Sequence, residues 1–140
     1  MATFNKFNQF VEDLGKGVHN LSTGAMKVML VNTAPVAANA VKADLTEIAA
    51  GNGYTAGGTA TTPTFTETSG TAKLVCTDVV FTASGGSIGP FRYAVLYNDT
   101  PTSPADPLIG WHDYGSALTL ADGDTFTWDT DGTTGVLQLS

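Results

Sequence analysis

Four aspartates near the end of the chain, Asp122, Asp124, Asp129 and Asp131, are the residues best suited to chemistry. A hard cation such as calcium takes several carboxylate and carbonyl oxygens gathered by one loop. The run lacks the D-x-[DN]-x-[DN]-G pattern with its distant Glu, however. The same residues sit in A-D-G-D and D-T-D-G, where Asp bonds nearby N–H groups and Gly supplies positive φ, so hairpin turns are the first expectation and a cation site the second. No resident metal or other cofactor is expected. The only histidines, His19 and His112, belong to no metal-spaced or nucleophile-spaced set. In G-W-H-D-Y-G, His112 and Asp113 are adjacent, and on a strand they would point to opposite faces and could not work as a dyad. H-x-x-x-H does not occur. The run G-N-G-Y-T-A-G-G from Gly51 to Gly58 resembles a phosphate-binding loop only superficially, since no strand precedes it and no long helix follows. No catalytic residue is assigned, and the chain is read as a non-enzyme.

Surfaces are the remaining candidates. Trp111, Tyr114 and Trp128 could form a platform for sugar rings, although aromatics at alternate strand positions more often belong to a core. Phe4, Phe7 and Phe10 cluster near a terminus that is mobile unless docked, so they pack either on their own domain or on a neighbouring subunit. The loop N-D-T-P-T-S-P-A-D-P is stiff and polar and should protrude between two strands. Phe4, Phe7, Phe10, Thr100, Pro101, Pro104 and Pro107 are therefore the candidate partner-binding residues. Cys76 cannot form an internal disulfide and reads as a small buried hydrophobe in L-V-C-T.

These residues must be positioned by a chain of 140 residues with one composition regime, read as a single domain over 1–140 that buries about two-thirds of its unfolded surface. Six basic residues against 13 acidic ones give a formal charge of -7, which would repel a phosphate backbone, so nucleic acid is excluded as a partner. Apolar stretches such as V-M-L-V are too short to span a bilayer, and M-A-T-F-N-K-F lacks the basic-then-apolar order of a signal peptide. A soluble protein without a membrane partner is expected. With only 14% charged residues, polar surface must come from Thr, Ser, Asn and Gly, and Thr suits an exposed strand face.

Phe4 to Leu21 carries apolar residues at helical spacing, but Gly15 and Gly17 weaken a helix interior, so an extended arm or strand is expected over roughly 1–20. K-V-M-L-V at Lys27 to Val31 reads as a buried strand. Asp44 is expected to cap one helical turn closed by Gly51. The Thr-rich run from Thr59 to Thr68, interrupted by Pro63, fits an edge strand. Thr71 to Ala83 reads as one long strand, and Gly85, Gly86 and Gly89-Pro90 as a turn. Phe91 to Tyr97 is a strand with both faces at least half covered. Leu108 to Tyr114, Thr125 to Asp129 and Val136 to Leu139 complete the set. Turn signals spaced by about ten residues predict an all-β fold, an antiparallel β-sandwich built as a jelly roll of about eight strands, with an immunoglobulin-like sandwich behind it.

Across K-V-M-L-V-N-T-A-P-V, V-K-A-D-L-T-E-I-A-A-G-N-G-Y-T-A-G-G, I-G-P-F-R-Y-A-V-L-Y-N-D and P-L-I-G-W-H-D-Y-G, the chain resembles the capsid cement, or decoration, proteins of short-tailed bacteriophages. The resemblance implies a jelly-roll subunit that forms a homodimer on the outside of the virion head and ties neighbouring major capsid proteins together. It also implies synthesis in the host cytoplasm and no catalysis. It locates no contact residues. The alternative is a carbohydrate- or receptor-binding module of a phage tail or fibre, using Trp111, Tyr114 or Trp128.

Overall fold

The run from Ile88 to Asn98 folds as one eleven-residue strand in which every residue from Tyr93 to Asn98 is buried. A strand covered on both faces needs a near-continuous apolar run, and Y-A-V-L-Y supplies it. The computed structural model describes residues 3–140. In chain order they form β1 (Phe4–Lys6), α1 (Asn8–Gly15), β2 (Met26–Val31), a 3-10 turn (Lys42–Asp44), β3 (Thr59–Thr61), β4 (Pro63–Thr68), β5 (Thr71–Cys76), β6 (Val79–Thr82), β7 (Ile88–Asn98), β8 (Leu108–Leu120), β9 (Thr125–Trp128) and β10 (Leu137–Leu139).

Every pairing between these strands is antiparallel. The largest sheet has the order β1-β8-β7-β2-β3, a second has β10-β5-β4, and β6 pairs with β9 alone. The all-β, antiparallel expectation stands apart from α1. The jelly-roll sandwich of about eight strands is corrected: among the described residues the strands divide five, three and two, and no sheet closes into a sandwich or barrel. Two features of the chain prevent it. The stretch between β2 and β3 contributes no strand to any sheet beyond isolated bridges. The run from Thr71 to Ala83 is not one strand but two, broken at Thr77-Asp78, and its halves enter different sheets. Local hydrogen bonds outcompete strand continuity there. Thr62 N–H donates to Thr77 Oγ1 at 2.9 Å, and Asp78 Oδ1 accepts the Thr130 N–H at 3.1 Å.

The extended arm expected over residues 1–20 is also corrected within the described part, where β1 leads into α1. Helical spacing wins because Gly15 and Gly17 lie at the end of the helix and beyond it rather than inside it. Phe7 and Phe10 face inward and are fully buried, whereas Val11 is 60% exposed. No side chain caps the start, but Phe7 N–H reaches Ile109 O and Asn8 N–H reaches Ala37 O, so tertiary partners satisfy two of the first N–H groups. Asp44 closes the 3-10 turn rather than opening a helix, accepting the Ala40 and Val41 N–H groups at 2.8 and 3.2 Å. Gly89-Pro90 belongs to β7, in a stretch where its register with β8 shifts, and is not a turn.

The core forms on both sides of β8. Trp111 and His112 are neighbours on that strand and so point to opposite faces. Phe7 packs on Trp111 with ring centroids 4.6 Å apart, and Trp128 meets His112 at 5.9 Å. Beyond Trp128, Tyr54, Phe81, Phe126 and Phe91 form a continuous run of aromatic contacts. The N-terminal segment thus covers one face and the short β6–β9 pair covers part of the other.

Candidate functional site

The proline-rich loop runs from the end of β7 to the start of β8 and is tied at its base. Asp99 N–H donates to Ala25 O at 2.7 Å, and Ala25 N–H donates to Thr100 Oγ1 at 2.6 Å. Thr100 N–H donates to Asn98 Oδ1 at 3.1 Å, and Asn98 N–H donates to Pro107 O at 3.0 Å. Lys27 Nζ lies 2.9 Å from Asp99 Oδ2, and the ammonium holds the Asp99 carboxyl below the usual range. Burial, and then the Asp99 carboxylate, push Asp106 the other way. Thr102 and Ala105 bridge across the tip. Thr100, Thr102, Ser103, Pro104 and Ala105 are exposed, Pro101 is half-buried, and Pro107 is buried against Val41. The structure therefore presents Thr100, Pro101 and Pro104 at the surface and withdraws Pro107.

The aromatic cluster at the N-terminus is placed differently. Phe7 and Phe10 are 0% and 1% exposed within the chain's own core, and Phe4 is half-buried over His112 at 5.0 Å. Of the two destinations open to these residues, the own domain holds Phe7 and Phe10, leaving neither free to grip a neighbour.

The aspartates serve turns. Asp122 Oδ1 accepts the Gly85 N–H at 3.0 Å, and Asp124 Oδ2 accepts the Ala121 N–H at 3.1 Å. Asp131 Oδ1 takes the Thr133 and Thr134 N–H groups at 2.7 and 3.3 Å, which lowers its carboxyl pKa. Among the described residues, no three acidic, His or Cys side chains are grouped so as to hold a metal ion. His112 is 4% exposed and its Nδ1 accepts the Trp128 indole N–H at 3.0 Å, while burial pushes its pKa down to about 4. Asp113 instead pairs with Arg92 at 2.8 Å, as expected for neighbours on opposite faces. Trp128, being buried, offers no face to a sugar; Trp111 and Tyr114 are half-buried. Cys76 is buried, and its thiol is pushed up to about 12 by burial, which keeps it unreactive.

The glycine loop supplies residues that sequence reasoning missed. Tyr54 is buried; its hydroxyl donates to Glu47 Oε2 at 2.5 Å and accepts the Leu30 N–H at 3.0 Å. Glu47 Oε2 also accepts the Gly57 N–H at 2.7 Å, and Tyr97 donates its hydroxyl to Gly57 O at 2.6 Å. An E-x6-Y-x2-G spacing carries no periodic signal that could have shown this. Glu47 also lines an open groove of about 330 Å³ with Asn32, Thr33, Thr46, Ile48 and Pro90. Its single carboxylate and few hydroxyls form no set with a defined reaction.

No protein-family model, curated protein or solved structure matches this chain.

Proposed function

We propose that this protein is a bacteriophage virion component, a cement subunit that sits on the outer face of the head as a homodimer and clamps neighbouring major capsid proteins. The observation that carries this reading is the loop of residues 99–107, tied at both ends of its base by hydrogen bonds, among them Lys42 N–H to Asp106 O at 2.9 Å, while Thr102 to Ala105 project into solvent. A contact surface ordered before binding loses little conformational entropy on docking. The formal charge of -7 agrees with an outer position, away from packaged DNA. The segments that resemble cement proteins give the reading its partner.

The mechanism is linkage. A subunit that binds the assembled head and not its dissociated parts stabilises the head by mass action, and many weak copies act together. No chemical step is involved. The test adds purified protein to expanded heads lacking it. Saturable binding at hundreds of copies per head with a raised melting temperature is expected, and replacing Thr102-Ser103-Pro104 with Gly-Ser-Gly should weaken binding. Heads that neither bind the protein nor gain heat resistance would overturn the reading. A few copies per virion together with glycan binding would favour the tail or fibre module instead.

A further inference from the structure

Three polar side chains lie buried together in sequence-distant parts of the chain. Asp13 from α1 and His19 from the following loop are each 5% exposed, and Asn98 at the end of β7 is 1% exposed. Asn98 decides the chemistry of the group. Its Oδ1 accepts the Thr100 N–H at 3.1 Å, so Nδ2 is the atom that faces His19 Nδ1 at 3.2 Å. An imidazole nitrogen that accepts a hydrogen bond holds no proton, so neutral His19 carries its proton on Nε2. Burial keeps the ring neutral, against the pull of the Asp13 carboxylate.

The result is a complementary pair of orphans. Among the described residues, His19 Nε2–H is a donor without a protein acceptor, and Asp13 Oδ2 is an acceptor without a protein donor. The other Asp13 oxygen is taken by Gln9 Nε2 at 3.0 Å. Buried polar atoms of this kind are satisfied by ordered water when no protein group reaches them. A cation does not suit the place, because a nitrogen bearing a proton has no lone pair for a metal. We propose that one buried water bridges His19 Nε2–H to Asp13 Oδ2. It completes a polar chain from α1 through Asp13, water, His19 and Asn98 to Thr100 and Ala25, so that the helix and the base of the proline-rich loop hold or open together. Gly24 permits this closure, since a Cβ there would meet the Asn98 amide at 3.2 Å. This inference does not depend on the capsid reading.

Nitrogen-15 NMR on the full chain tests it. Neutral His19 should show the Nε2–H tautomer, with a cross-peak from that proton to a long-lived water. In D13A, amide exchange at Thr100 should rise about tenfold, equivalent to about 1.4 kcal/mol, while D13N, which keeps an accepting oxygen, should stay near the parent. A proton on Nδ1, an Nε2 proton with no water contact, or unchanged Thr100 exchange in D13A would each overturn the proposal. Should D13A fail to fold, the tautomer and the water contact in the unmodified protein decide alone.

Discussion

The loops at residues 51–58 and 99–107 are both rich in turn residues, yet they meet the rest of the molecule in opposite ways. The first is rich in glycine and lies against the core strands. A Cβ on Gly53 would collide with the Thr82 carbonyl, and one on Gly58 with the Val28 carbonyl. Its Tyr54 ring is in the core, and Glu47 and Tyr97 grip Gly57. The second is rich in proline, is tied only at its base, and holds its tip in solvent. Most residues of the glycine loop are exposed, yet glycine lets its backbone approach neighbouring strands closely and carry Tyr54 into the core, whereas proline stiffens a segment that stands away. Loop composition therefore indicates which way a loop faces, a lesson hydropathy alone does not give.

The strongest challenge to this contrast is Gly58→Ala. The residue has φ +83° and no room for a Cβ, so the substitution should remove more than about 3 kcal/mol or abolish folding, read by urea unfolding.

The two loops should also fail at opposite ends of the pH scale. Beside the proline-rich loop, His19 is buried neutral, and His112 in the core has its pKa pushed from 6.5 to about 4. The unfolded chain takes up these protons first, so the stability they carry is present above pH 6.5 and is lost as pH falls. His112 alone should account for about 3 kcal/mol by pH 4, and H112N should flatten that part of the pH profile. By the glycine loop, burial pushes the Tyr54 and Tyr97 phenols up from 10.0. Here the contribution is complete below pH 10 and lost above it. Phenolate absorbance of the two tyrosines should therefore appear only together with unfolding, and early titration of either would refute the buried network.

A smaller effect is expected from Tyr54→Phe, which strands the buried Leu30 N–H and removes a donor from Glu47. A loss of about 2 kcal/mol in thermal or urea unfolding is expected. At the other loop, Thr102→Ala and Ser103→Ala should change stability by no more than about 0.5 kcal/mol while leaving the unfolding slope unchanged. A larger loss would mean that the tip packs inward after all.

Strand identity was readable wherever side-chain pattern and turn residues agreed, as in Lys27 to Val31, Phe91 to Tyr97 and Thr125 to Asp129. Pro63 marked an edge, since β4 is the outer strand of its sheet, but the single strand expected over Thr59 to Thr68 is corrected to two, β3 and β4, which divide at Thr62 and enter different sheets. Sheet membership was not readable. Nothing in T-A-K-L-V-C-T-D-V-V-F-T-A signals the break at Thr77-Asp78, because the partners that cause it, Thr62 and Thr130, are distant in sequence. The helix over Asn8–Gly15 is visible as spacing, but Gly15 and Gly17 argue against it in sequence because only the structure shows that they stand at and beyond its end. Among the candidate contacts, the exposed loop tip could be anticipated from proline and polar content. The burial of Phe7 and Phe10 could not, because it depends on Trp111 and His19 as packing partners.

The pairing of β1 with β8 also bears on how the chain folds during synthesis. Phe4 to Lys6 find their partners at Gly110 to His112, and Phe7 N–H finds Ile109 O. Phe4 and Phe7 thus wait for Ile109 to His112, far later in the chain, before they can be covered. Until then Phe7 and Phe10 are sticky surface. Such non-local closure slows folding and exposes the nascent chain to misassociation, so crowding by other copies during synthesis threatens the N-terminal segment.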